Sequence, residues 1–187
     1  MLIIGITGTL GAGKGTVVEY LVDNKGFNHY SVRDYITQEI KKRNLPVDRD
    51  HMVMVANDLR AKHSSSFIVD QLYATAVKAG AHGIIESIRT PGEIKSLRSK
   101  GHFVLIAVDA VLETRFQRIR LRDSETDHII LEKFKQDEQR EMTAIDPNKQ
   151  NLQKCIDEAD YVIHNDKSVE DLCKQVDMVL EKLTNIK

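Results

Sequence analysis

The sequence predicts an α/β fold, a parallel sheet covered by helices on both faces, in one domain. Three observations carry that expectation. Short runs rich in β-branched residues recur along the chain, and segments with helical spacing separate them. Separators of that length favour crossover connections and hence parallel strands, which are buried on both faces. The 187 residues hold no internal repeat, low-complexity tract or linker, so one domain with a real core is the simplest division.

Each element has its own justification. Leu2 to Thr7 is an apolar run closed by glycine, the first strand, and a helical pattern begins near Lys14 with Val17, Val18, Leu21 and Val22. Phe27 to Tyr30 reads as a second strand. Asp34 to Arg43, His51 to Lys62 and Ser65 to Ala79 read as helices, the first closed by a turn at Pro46. Gly83 to Ser87 is a third strand and Phe103 to Asp109 (FVLIAVD) a fourth. A helix follows from Val111 to Arg122, then a polar break, then a charged helix from about Ile129 to Met142. Tyr161 to His164 is the fifth strand, and Ser168 to Thr184 an amphipathic closing helix. The helical stretch between the second and third strands is long enough to form a small lobe.

Composition excludes several function classes. Lys and Arg total 27 against 28 Asp and Glu, a net charge of −1, which points to neither nucleic acid nor a membrane surface. Cys155 and Cys173 have neither metal-ligand spacing nor disulfide-scaffold density, and read as small, buried or half-buried side chains. The seven histidines form no HxxxH or HExxH pair. The opening MLIIGITG lacks a basic leader and is too short to span a bilayer, so a cytoplasmic, reduced environment is expected.

The chemistry concentrates first in GITGTLGAGKGT, Gly5 to Thr16. Gly8-x-x-x-x-Gly13-Lys14 sits between a strand and a helix, as a phosphate-binding loop requires. Glycines let backbone amides turn inward and approach an anion without Cβ obstruction. The helix N-terminus adds unpaired donors and partial positive charge. Lys14 then reaches the β- and γ-phosphates of a nucleotide. Gly8, Gly11, Ala12, Gly13, Lys14, Gly15 and Thr16 are thus the candidate nucleotide-binding residues.

The loop's ending, GxGKGT, resembles that of adenylate kinases and related nucleoside monophosphate kinases. Leu10 stands where their loop has proline, and Gly15 where a Walker A motif usually has Ser or Thr. The resemblance implies the P-loop NTPase three-layer sandwich, with five parallel strands in the order 2-3-1-4-5, and the cofactors ATP and Mg²⁺. The metal in that family is held largely through water. Thr16 is then either a metal ligand or a contact to the α- or β-phosphate.

Other segments extend the likeness. YSVRDYI, Tyr30 to Ile36, resembles the STGDMLR segment that opens the monophosphate-binding lobe; Ser31 and Asp34 match, whereas Thr37 stands at the acceptor-gripping arginine. Arg33, or Arg60 in ANDLR, is a candidate substitute, because a guanidinium gives a bidentate phosphate clamp; the alternative for Arg60 is a solvated helix face. IIESIRT resembles DGFPRT shortened by one residue. Glu86 takes the acidic position that holds Mg²⁺ through water, and Arg89 the acceptor-binding arginine. RIRLR places Arg118 and Arg122 at i and i+4, matching the lid-start arginines that neutralise charge on the transferring phosphoryl group. Arg115 and Arg120 fall elsewhere on the helix and read as solvated surface. The lobe would span about residues 31–80 and the lid about 122–142, with Arg140 a weaker lid candidate.

QNLQKCIDEADYVIHNDKSVEDL also resembles the end of dephospho-CoA kinases, and in either family the backbone around His164 and Asn165 would flank the adenine. A nucleoside monophosphate attacks through an ionised oxygen and needs no base; a ribose hydroxyl, as in dephospho-CoA, benefits from a carboxylate. Asp34 is such a base or a helix cap. ESIRTPGEIKSLR also looks like P-loop kinase-like proteins with a DGIR-type motif. A nucleotide-dependent switch or ATPase is the rival class. HNDKS carries the letters of a guanine-reading NKxD motif out of order, and no DxxG follows the third strand. The expectation is a monomeric or homodimeric phosphotransferase acting on a small-molecule acceptor, a nucleoside monophosphate before dephospho-CoA.

Overall fold

The computed structural model describes residues 1–122, 130–146 and 148–184. Strands β1 (Leu2–Gly8), β2 (Asn28–Ser31), β3 (Gly83–Glu86), β4 (His102–Asp109) and β5 (Tyr161–His164) form a sheet of order β2-β3-β1-β4-β5, with every neighbouring pair parallel. The helices are α1 (Lys14–Lys25), α2 (Val32–Lys42), α3 (Arg49–Lys62), α4 (Phe67–Ala79), α5 (Pro91–Lys100), α6 (Leu112–Arg122), α7 (Leu131–Met142), α8 (Leu152–Asp157) and α9 (Val169–Thr184). This is the three-layer P-loop arrangement and strand order that the resemblance implied.

Strand periodicity sorts the core into two faces. Ile3, Ile85 and Leu105 point to one side and pack with α2, α3, α4, α5 and α8. Ile4, Ile6, Ile84, Val104, Ile106 and Val108 point to the other, against Val17 and Leu21 of α1 and Leu172 and Val176 of α9. Isoleucine at these positions suits both requirements, since β-branching fits the pleat and each full burial contributes about 1.5–3 kcal/mol. After β1 the chain adds β2 and β3 on one side of it and then β4 and β5 on the other, and this switch in strand order leaves a crevice beyond the carboxyl end of β1, where α/β sheets bind ligands.

Two helices escaped the sequence reading. α5 was legible in its cap. Thr90 accepts from the Glu93 amide, Glu93 reaches back to the Thr90 amide, and Pro91 occupies the first turn, a complete capping box. α8 has only six residues, too few for a period to emerge, and is capped by Asn151. Several boundaries shift by one or two residues, and both ends of α2 have a visible cause. α2 begins at Val32 because Ser31 caps it, accepting from the Asp34 amide at 3.0 Å; Asp34 therefore lies in the first turn and is not the cap. α2 ends before Pro46, because Asn44 adopts φ 56° and the Leu45 amide returns to the Ile40 carbonyl.

Candidate active site

The loop between β1 and α1 is held by contacts on three sides. Gly11 has φ 78°, and a Cβ there would stand 2.5 Å from the Arg115 carbonyl oxygen. Gly13 has φ 97°, and its Cβ would meet Asn165 Nδ2 at 2.2 Å. Only glycine satisfies both the left-handed backbone and the close approach. Lys14 Nζ donates to the carbonyls of Gly8 (2.8 Å) and Thr9 (2.7 Å), so the ammonium lies over the loop's own curve. The Ala12 amide closes a turn onto the Thr9 carbonyl at 3.3 Å, and Thr9 Oγ1 donates to Asp109 at the end of β4.

Asn165 follows β5, where the sequence places the adenine. Its Nδ2 donates to the Ala12 carbonyl at 2.9 Å, and its Oδ1 accepts from Arg118 at 3.5 Å. The carboxamide thus fastens the loop to α6.

Arg115 corrects an expectation. Read as solvated surface, it is 6% exposed, donating from Nε to the Ala110 carbonyl and from Nη1 to the Leu10 carbonyl, and it pairs with Glu138 of α7. A helix packed over a glycine loop presents its inner face to bare carbonyls, and a long cation is suited to satisfy them. Arg120 is exposed, as expected.

A hollow of about 610 Å³ opens above the loop, lined by Gly13, Lys14, Gly15 and Thr16 below and by Arg33, Glu86, Arg89 and Arg118 around the rim. Most of the predicted site residues therefore meet at one place. Arg118 carries a buried Nη1 without a partner among the described residues. The side chain of Arg122 lies outside the described residues, as does segment 123–129 of the expected lid. Asp34 is exposed and lines neither this hollow nor the cavity beside it. Arg140 is paired with Asp50 of α3 at 2.8 Å.

Glu86 ends β3 at the hollow's rim. Burial pushes its carboxyl up, but the His29 hydrogen bond (3.2 Å) and the nearby charges of Lys14 and Arg89 outweigh that and hold it below the ordinary glutamate value. An ionised carboxylate beside Thr16 is the right donor for a hydrated divalent ion. Among the described residues no group of three or more His, Cys, Asp or Glu could cage a metal directly. A Mg²⁺ therefore fits here only with water and phosphate oxygens completing its shell. The next residue, Ser87, has φ 69°, a strained conformation that sets Glu86 and Arg89 on the same rim.

Beside the hollow lies a narrower cavity of about 120 Å³. Its apolar wall comes from α2 and α3 (Val32, Ile36, Met52, Val53, Ala56), and its polar wall holds four arginines: Arg33, Arg49, Arg60 and Arg89. Arg60 is 1% exposed and pairs with the equally buried Glu93, while its Nη1 has no partner among the described residues. Its helix face is buried, so the solvated alternative fails. Arg89 binds Glu141, which also accepts from Arg49 at 2.6 Å. Burial pushes the Glu141 carboxyl up, and Arg89 and Arg49 more than reverse that shift. Sequence reasoning missed Arg49, Glu93 and Glu141. Glu93 was readable as the capping-box acid, but nothing local marks Arg49 or Glu141, which α3 and α7 bring together across the fold.

A glycine loop with its lysine, an acidic strand end and a rim of arginines, on this sheet order, define a P-loop kinase-like fold. The chain belongs to the family described as AAA domain, whose model matches residues 4–146, and to the UPF0200 proteins; the one from Methanocaldococcus jannaschii is 31% identical over 188 residues, covering 99% of this chain and 92% of that one. Among solved structures, TT1252 from Thermus thermophilus is similar at TM-score 0.65 and 22% identity, over 97% of both chains. Shikimate kinase from Aquifex aeolicus is similar at TM-score 0.57 and 14% identity, over 100% of both. Both likenesses are of fold. No helix among the described residues is long and apolar enough to cross a membrane.

Proposed function

We propose that the protein is a phosphotransferase that moves the γ-phosphoryl of Mg–ATP to a nucleoside monophosphate by direct in-line attack. One observation carries this reading: the hollow above the loop and the arginine cavity share a wall of Leu10, Arg33, Ser87 and Arg89. Two anion-binding spaces meeting at one rim suit a donor and an acceptor phosphate facing each other. A hydrolase needs only the first.

The residues divide the work. Loop amides and Lys14 cradle the donor phosphates, with Thr16 at the helix start. Glu86, through water, and Thr16 would hold Mg²⁺, which would supply neutralisation of charge on the donor phosphates. Arg118 and Arg122 stabilise charge on the transferring group. Arg33, Arg60 and Arg89 hold the acceptor phosphate, Arg60 through its unpartnered Nη1. An ionised acceptor oxygen needs no base, which agrees with Asp34 lining neither space. Residues 31–80 form the acceptor lobe. Residues 122–142 act as a lid whose closure excludes water and suppresses ATP hydrolysis.

The test is ADP release from Mg–ATP in the presence of single acceptors: ribo- and deoxynucleoside monophosphates, and dephospho-CoA. Release dependent on one nucleoside monophosphate supports the proposal. Release with dephospho-CoA alone, or without any acceptor, refutes it.

A further inference from the structure

The arginine cavity is too small for a whole acceptor. Ligands of drug size occupy clefts of roughly 300–1,000 Å³, whereas this cavity encloses about 120 Å³. It seats a phosphate and little more, so the body of the acceptor must leave it. On one side it opens to the nucleotide hollow. On the other, Val53, Glu141 and Gln150 belong equally to a third cleft of about 1040 Å³, formed by α3, the end of α7, the segment after it and α8.

That cleft carries its own recognition chemistry. Asn57 of α3 lines it with a buried Oδ1 that has no hydrogen-bond partner among the described residues. Lys149 and Lys154 line it too, both exposed, and neither ammonium forms an ion pair among the described residues. The other charges of the cleft are already engaged: Arg140 with Asp50, Glu141 with Arg49 and Arg89, and Asp146 with the Asn148 amide at 2.9 Å. Two lysines without ion-pair partners among the described residues, in a cleft continuous with the acceptor cavity, form a site for a second anion, and the Asn57 Oδ1 calls for a donor on the body that joins the two.

We propose that the acceptor is an elongated small molecule with two anionic groups. One is seated among Arg33, Arg60 and Arg89 and receives the phosphoryl group. The other is held in the third cleft by Lys149 and Lys154, with the polar body passing Asn57. This deepens the phosphotransfer reading by narrowing the acceptor from a plain nucleoside monophosphate to one that carries a further anionic group, and rests on that reading for the placement of the reacting end. Neither lysine touches the nucleotide hollow.

The experiment compares adenosine 5′-monophosphate with adenosine 3′,5′-bisphosphate, in the parent protein and in a K149A/K154A variant whose surface positions leave folding intact. In the parent, the bisphosphate should show a KM lower by about tenfold, the worth of a charge-assisted contact. In the variant that advantage should vanish, with the monophosphate KM and kcat unchanged. Equal KM values in the parent, or an advantage that survives in the variant, overturn the proposal. If neither compound supports turnover, titration calorimetry of the bisphosphate decides separately. Binding that weakens about tenfold in the variant sustains the cleft although the transfer reading has failed for these acceptors; unchanged or absent binding overturns it.

Discussion

Arg60 of α3 and Glu93 of α5 form an ion pair from which water is excluded: Nη2 stands 2.8 Å from Oε1, and the side chains are 1% and 0% exposed. The second oxygen of Glu93 accepts from the amides of Arg89 (2.7 Å) and Thr90 (3.0 Å). One carboxylate thereby links α3 to the segment after β3 that carries Arg89. Removing it leaves a charge in the core. Glu93→Gln is expected to destabilise the fold by about 3–5 kcal/mol, whereas Arg60→Met combined with Glu93→Leu should recover much of that loss. Urea denaturation midpoints of the two variants check this, and equal losses would contradict it.

Lys14→Ala removes two hydrogen bonds to the part-buried carbonyls of Gly8 and Thr9 in the loop. Turnover should fall by at least about 10²–10³-fold with little change in melting temperature. Undiminished turnover would refute the assignment of the nucleotide site.

Gly13→Ala places a methyl group 2.2 Å from Asn165 Nδ2 on a backbone at φ 97°. Nucleotide binding should weaken severely, and the strain should cost about 1–3 kcal/mol. Asn165→Ala relieves the clash but strips the Ala12 carbonyl of its donor, so the double variant should recover stability only in part. Full recovery would show that the left-handed backbone is not limiting.

Acid should unfold the acceptor side first. The folded-state carboxyl of Glu141 lies below its ordinary value, since Arg89 and Arg49 overcome the effect of burial. A depressed carboxylate contributes stability that is complete above the unfolded-state value, about 4.3, and is lost as pH falls through the lower folded value. Glu86 contributes with the same sign. Stability measured from pH 7 to pH 3 should therefore decline below about pH 4.3. Glu141→Gln should start lower and decline less steeply. Parallel curves would remove Glu141 as the source.

How far the sequence reached is clearest residue by residue. The loop from Gly8 to Thr16 was legible because its chemistry is local: amides, a lysine and a helix start need only adjacent residues. Glu86 stood out because it ends an apolar strand, whereas Arg89 was named only through the likeness of IIESIRT to DGFPRT. Arg115 was misread because a helical period says which residues share a face but not what that face meets, and it met the bare carbonyls of the loop. α5 was overlooked although its capping box stood in the letters from Thr90 to Glu93.

By itself the chain determined the parallel sheet, the phosphate loop and the positions of most rim residues, since periodicity and short-range spacing are written along one dimension. Tertiary structure decided the rest: Glu141 on Arg49 and Arg89, Glu93 on Arg60, and the cavity where α2, α3 and α7 converge. Those groups lie 33 to 92 residues apart, and burial raises the strength of each charge pair only after the helices have closed around it.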